Sequence, residues 1–266
     1  MYQFEYHKSS SVEDAINKLK SSEDGKILAG GMTLLPTMKQ RLASPSDLID
    51  LGDIKELNGI NFENDKLIIK SMTTHYNVHS SNEVINNIPS LSKLAGLIGD
   101  PMVRHRGTIG GSIANSDPSA DYPSAVIALN ATIVTNLRQI NSDDYFKGLF
   151  ETELEEDELI TEIHFPKPLN AAYAKFPQPA SRYALVGVYF ANTKNGIRVG
   201  VTGAGACAFR CKEIEEALTK SLAVDSLNDI KIDPTDLNSD IHGSAEYRAH
   251  LITVMAKRAV KEALEN

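Results

Sequence analysis

Apolar positions along the chain recur with two periods. In SVEDAINKLK, residues 11–20, Val12, Ala15, Ile16 and Leu19 share one helical face and Ser11 stands ready to cap it. KILAG, 26–30, is a short apolar strand that ends in Gly30-Gly31. MTLLPTMKQRL follows with partial helical periodicity, which Pro36 is expected to break. ASPSDLIDLG, 43–52, is a turn and then a second short apolar strand. Strand, crossover, strand predicts a small βαβ-like unit. Its glycine pair sits at the carboxyl end of the first strand, a common ligand position in such units.

KLIIKSMTT at 66–74 alternates apolar and polar residues and predicts a half-buried strand. SLSKLAGLIG at 90–99 predicts a helix with Leu91, Leu94, Ala95 and Ile98 on one face. GTIGGSIANS, 107–116, is too rich in Gly and Ser for a regular element. SAVIALNATIVTN predicts a helical turn or two and then a strand, and ELITEIHFP, 158–166, a further strand. From about residue 170 the texture changes. YALVGVYFAN and IRVGVTGAGACAF flank the turn Thr193-Lys194-Asn195-Gly196, whose Asn-Gly pair signals a hairpin. CKEIEEALTKSL and EYRAHLITVMAKRAVKEALE are amphipathic helices, separated by the polar, loop-like DSLNDIKIDPTDLNSDIHGS. The order of elements is that of an α+β protein.

Composition removes several function classes. A net charge of −8 argues against a nucleic-acid surface, and Arg104, His105 and Arg106 form the only local run of basic residues. No run of about 18 apolar residues predicts a membrane span. The opening MYQFEYHKSS lacks the apolar region of a signal peptide, so the expected location is the cytoplasm. The two cysteines, Cys207 and Cys211, exclude a disulfide framework and a four-cysteine cluster made by this chain alone. Their spacing suits two thiols on one helical face, though two small semi-buried residues is the simpler interpretation. The seven histidines are scattered and form no H-E-x-x-H motif, and surface or core placement is the default for each.

The candidate chemistry lies in KILAGGMTLLP, 26–36, and RHRGTIGGSIANSDPSADYPSA, 104–125. Consecutive glycines in a turn can aim several N–H groups at one anion, and Thr33, Thr108 and Ser112 can add hydroxyl donors. Neither run has P-loop spacing, and no G-x-G-x-x-G follows the first strand. VTGAGACAF holds a G-x-G, but within a predicted hairpin. On spacing alone, tight turns between strands remain the simpler account of both runs.

The residues themselves go further. ILAGGMTLLPTMKQRLASPSDLIDL resembles the first flavin motif of the FAD-binding medium subunits of molybdenum hydroxylases, and GDPMVRHRGTIGGSIANSDPSADYP resembles the second. FETELEEDELITEIHFP and SRYALVGVYFA resemble later segments of that family, in the same order. The nearest style is that of aerobic carbon monoxide dehydrogenase medium subunits, with a related domain in xanthine dehydrogenase.

The resemblance implies an FAD-binding PCMH-type, vanillyl-alcohol-oxidase-like fold over residues 1–169, in subdomains of about 1–56 and 57–169. Residues 170–266 would form a carbon monoxide dehydrogenase flavoprotein C-terminal-like domain, a three-stranded antiparallel sheet with helices. It implies that Ala29, Gly30, Gly31, Met32, Thr33, Leu34, Leu35 and Pro36 wrap the FAD diphosphate from one side, and Thr108, Ile109, Gly110, Gly111 and Ser112 from the other. Ile98 and Gly99 would lie near the cofactor, Asp121 would contact it, and Asp117 would brace turns. Ile160 would touch the flavin through its backbone, Lys175 would lie near the flavin ring, and Tyr183 would lie at the isoalloxazine face. The family's more frequent Gly-Gly-His-Ser is Gly30-Gly31-Met32-Thr33 here, which keeps the hydroxyl and loses the imidazole. TNLRQINSDDYF is short, so a hairpin near Asn136 is expected to be trimmed. No cysteine-rich insertion is present to hold an extra cluster.

The implied function is electron transfer. A large partner subunit would carry the molybdenum cofactor and a small one two [2Fe-2S] clusters, in a heterotrimer or a dimer of heterotrimers. This chain would pass electrons through FAD to an external acceptor. The alternatives are a stand-alone flavin oxidoreductase and a cofactor-less scaffold subunit of the same fold.

Overall fold

The structure is a computed structural model that describes residues 1–265. The first 57 residues build the βαβ unit that the sequence predicts, with one strand added. Strand β1 (Glu5–Lys8) is followed by helix α1 (Val12–Ser21), β2 (Gly25–Leu28), α2 (Leu34–Lys39) and β3 (Asp47–Asp50). The sheet is parallel, in the order β1-β3-β2. Ser11 caps α1 by accepting from the Asp14 N–H. The helix then buries Ala15 and Ile16 against Ile49, Leu51, Ile54 and Leu57. Strand β1 has no apolar alternation and is largely exposed, so its sequence carries no strand signal. Pro36 does not break α2. It sits in the first turn, where a backbone N–H would lack an intrahelical partner in any case.

The middle of the chain comprises β4 (Ile60–Glu63), β5 (Lys66–Lys70), α3 (His75–Ser80), α4 (Asn82–Asn87), α5 (Pro89–Gly96), α6 (Pro101–Arg106), α7 (Ile109–Asn115) and α8 (Tyr122–Ala128). It continues through β6 (Thr132–Thr135), β7 (Gln139–Asn141), α9 (Ser142–Tyr145), β8 (Phe146–Gly148), β9 (Glu151–Thr152) and β10 (Ile160–Pro166). Five strands pair antiparallel in the order β4-β5-β10-β6-β7. Ile163 lies opposite Ile69, and Phe165 opposite Leu67. Their buried face meets Leu91, Leu94, Ile109, Ile113 and Tyr122 from the helices.

The Gly- and Ser-rich 107–116 segment is helical over α7, against expectation. Thr108 caps it by accepting from the Gly111 N–H, and Ile109 and Ile113 enter the core. Gly110 packs where a Cβ would stand 2.7 Å from the Ser71 carbonyl oxygen. Tertiary contact overrides the low helix propensity of two glycines.

The last part holds β11 (Asn170–Pro177), β12 (Ala184–Thr193), β13 (Gly196–Thr202), β14 (Phe209–Arg210), α10 (Lys212–Lys220) and α11 (Ala245–Glu265). Its antiparallel sheet has four strands, β11-β12-β13-β14, rather than the expected three. The extra strand is β14, two residues long, which pairs with β13. The Thr193–Gly196 turn joins β12 to β13 as a hairpin. Helix α11 buries Leu251, Ile252, Met255 and Ala259 among Val186, Val188, Phe190 and Val199. Tyr173 and Tyr189 point the other way, into the middle core, where the Tyr189 hydroxyl lies 2.6 Å from Ser90 Oγ. Cys207 is half-buried in the loop between β13 and β14 and Cys211 is buried at the N-cap of α10, so the two do not share a helical face.

Candidate functional site

The three parts converge on a cavity of about 570 Å³. One wall is the loop from β2 to α2. Its conformation depends on Gly31, with φ +72°, which favours glycine. Gly30 is set by close approach: a Cβ there would lie 2.1 Å from the Arg106 carbonyl oxygen and 2.7 Å from Gly107 Cα. No backbone N–H of Gly30, Gly31, Met32 or Thr33 donates to another described residue. Four successive N–H groups left free in a loop that lines the cavity are available to an anion there.

The second glycine run contributes differently. Gly110 donates to the Ser71 carbonyl at 2.8 Å, Gly111 to Thr108 Oγ1 at 3.1 Å, and Ser112 to the Thr108 carbonyl at 3.0 Å. These donors are spent within the fold. From α7, Gly111, Ser112, Ala114 and Asn115 line the cavity.

Ala29 through Leu34, Ile98, Gly99, Thr108, Gly111, Ser112, Asp117, Asp121 and Tyr183 all line the cavity. Leu35 and Pro36 do not; they turn into α2. Ile109, Gly110 and Ile160 lie behind the wall, the two isoleucines in the middle core. Lys175 is also off the wall, with its side chain only 4% exposed. Its ammonium donates to the Asp121 carboxylate at 3.0 Å and to the Leu97 carbonyl at 3.1 Å. The expected neighbour of a flavin ring is therefore, in this fold, the partner of a cavity carboxylate. Tyr173 donates to the same carboxylate. Burial pushes Asp121 above the usual carboxylate range, against the pull of Lys175 and Tyr173. Asp117 braces its loop by accepting from the Ser119 N–H at 2.8 Å, and burial raises it too.

Several wall residues escape a sequence reading. His75 opens α3, Lys26 lies on β2, and Gly107 sits between α6 and α7. Arg182 lies in the loop from β11 to β12 and donates to the Gly99 carbonyl at 3.2 Å. Arg104 donates to that same carbonyl. Lys26, Arg104, Gly107 and Arg182 lie within the stretches singled out in the sequence without being named there as site residues, and His75 lies outside them. No cluster of three or more His, Cys, Asp or Glu among the described residues could hold a metal ion. No helix among them is long and apolar enough to cross a membrane.

A cavity lined by a loop with unengaged amides, between a βαβ unit and a larger α+β layer, suits a dinucleotide cofactor. Residues 2–168 match the FAD binding domain in molybdopterin dehydrogenase, and the chain belongs to that family. It is an oxidoreductase subunit. It is 36% identical to the carbon monoxide dehydrogenase medium chain of Hydrogenophaga pseudoflava, over 98% of this chain and 96% of that one. It is 34% identical to the nicotine 6-hydroxylase medium subunit of Paenarthrobacter nicotinovorans, over 97% and 96%. The solved carbon monoxide dehydrogenase of Hydrogenophaga pseudoflava superposes with a TM-score of 0.89, at 35% identity, over 99% of this chain and 98% of that one. The expected PCMH-type α+β fold agrees with these matches, as does FAD as the cofactor. The free N–H groups of residues 30–33 suit its diphosphate.

Proposed function

We propose that this chain is the electron-transfer subunit of a molybdenum-containing hydroxylase or dehydrogenase. It takes electrons from a [2Fe-2S] cluster of a small partner subunit and passes them through FAD to an external acceptor. A large partner carries the molybdenum cofactor and oxidises the substrate. The assembly is a heterotrimer, single or doubled, and works in the cytoplasm. Residues 1–169 form the FAD-binding part, and 170–266 close it from the side of Tyr183. The observation that carries this proposal is the row of unengaged N–H groups at Gly30–Thr33, in a loop that lines a cavity shared by all three parts of the fold.

Bound FAD supplies a carrier stable in one- and two-electron states. The chain's own residues bind and orient it. Loop amides at 30–33 hold the diphosphate, and the Thr108–Ser112 helix start closes the opposite wall. Ile98, Gly99 and Tyr183 border the cavity, and Asp121, fixed by Lys175 and Tyr173, presents a buried carboxyl to it.

The test is an absorption spectrum of the purified chain before and after adding FAD, with release and identification of the chromophore. The expected result is a flavin spectrum and free FAD in the supernatant. Co-expression with the neighbouring large and small subunits should then give a complex whose flavin is reduced when substrate is added. A complex that forms and oxidises substrate with its flavin remaining oxidised would sink the electron-transfer role.

A further inference from the structure

His75 is the first residue of α3, and its ring position is tightly set. Its backbone N–H donates to the Gly107 carbonyl at 2.9 Å, and Thr74 caps the helix by accepting from the Asn77 N–H. The ring is tilted against Tyr122, with centroids 5.4 Å apart. Nδ1 is sealed from solvent and has no hydrogen-bond partner. Nε2 lies over Gly107, since a Cβ on that glycine would stand 2.5 Å from it. Gly107 is also the residue against which Gly30 closes. The ring therefore reaches the cavity at the seam between its two walls, beside the loop whose amides are free.

Burial, and then the charge of Arg104 on α6, hold the His75 imidazole down to about 4. Tyr122 is buried, with its own hydroxyl unpartnered, and its proton is held well above the ordinary range. Asp121 and Asp117 lie on the same cavity wall, and Lys26 is the cavity's lysine. His75 is thus neutral at neutral pH, with one proton for two nitrogens. A buried N–H without an acceptor is rarer and costlier than a buried lone pair without a donor. The proton belongs on Nε2.

We propose that His75 is a cofactor-binding residue which donates its Nε2–H, as a neutral imidazole, to an oxygen of the FAD diphosphate. The inference rests on the FAD role proposed above and deepens it. The anion is held by uncharged donors, the four loop amides and one imidazole. A cation at this place would face Arg104.

Side-chain amides separate the two ring nitrogens, because Gln can place an N–H near the Nε2 position and Asn near Nδ1. The experiment titrates FAD into the full-length chain and into His75→Gln, His75→Asn and His75→Phe, after thermal melts confirm that each is folded. His75→Gln should stay within about threefold of the parent, and Asn and Phe should bind about tenfold more weakly, the size of one buried neutral hydrogen bond. In parallel, ¹⁵N spectra of the histidine side chains are recorded with FAD and with inorganic pyrophosphate. The expected spectrum has the proton on Nε2 of His75, and both ligands move that nitrogen. A proton on Nδ1, equal affinity for Gln and Phe, or unmoved His75 signals in a chain that binds FAD would each overturn this inference alone. A folded parent chain that takes up no FAD overturns the wider FAD proposal instead.

Discussion

Gly30 and Gly107 touch so closely that a methyl group on the first would stand 2.7 Å from the Cα of the second. One belongs to the loop after β2 and the other to the link between α6 and α7, 77 positions later in the chain. The contact joins the βαβ unit to the middle layer and closes the cavity between them.

A side chain at position 30 should therefore act on fold and ligand together. Gly30→Ala places its Cβ against backbone atoms, which cannot swing aside as a side chain can. The expected loss is about 1–3 kcal/mol of stability, from overpacking. FAD affinity should fall about tenfold or more, because the loop must move to relieve the clash. Chemical denaturation and FAD titration measure the two effects. Unchanged values for both would mean that the two walls are not in contact.

Asp121 and Lys175 form a buried pair, both side chains about 5% exposed or less. Removing one partner leaves an uncompensated charge, which costs about 3–5 kcal/mol in comparable settings. Asp121→Asn should lose that amount in urea unfolding. The double variant Asp121→Asn with Lys175→Met should recover a large part of it. If Asp121→Asn costs no more than a surface substitution, the pair is not buried in solution.

Much of this architecture is legible in the sequence, and the exceptions have physical causes. The KILAG and DLID strands announce themselves because their apolar residues meet α1 on one side. Strand β1 does not, because EYHK has almost nothing to bury. Helix α7 is hidden by Gly110 and Gly111, whose local preference yields to the Ser71 contact and the Thr108 cap. The two glycine runs read alike in sequence, yet one presents free amides and the other has spent them. By resemblance Lys175 reads as a neighbour of the flavin ring; only the fold shows its ammonium donating to Asp121. His75 stands in MTTHYNVH outside every motif singled out in the sequence, and it gains meaning from Gly107.

Acid should destabilise the chain through His75. Its folded pKa is held near 4, against about 6.5 in the unfolded chain. Between those values the unfolded state binds a proton that the folded state refuses, so stability rises with pH across the window. From pH 7 down to pH 5 this one group should remove about 2 kcal/mol of stability. His75→Gln, which cannot titrate, should flatten the pH dependence of the urea midpoint by that amount. An identical pH profile in the parent and His75→Gln would mean that the imidazole is hydrated and titrates normally.

Arg182 ties the loop from β11 to β12 to the Gly99 carbonyl at 3.2 Å, and both residues line the cavity. Arg104 holds the same carbonyl from the other side, so Gly99 stays in place when Arg182 is removed. Arg182→Ala should therefore leave the fold intact and loosen only the closure. An exposed hydrogen bond to a charged group contributes about 1 kcal/mol, so FAD should leave about five times faster. Stopped-flow release of FAD into excess apoprotein reads that rate, and a thermal melt without cofactor should be unchanged. A lower melting temperature with an unaltered release rate would make the arginine a structural brace and remove it from the cofactor's exit path.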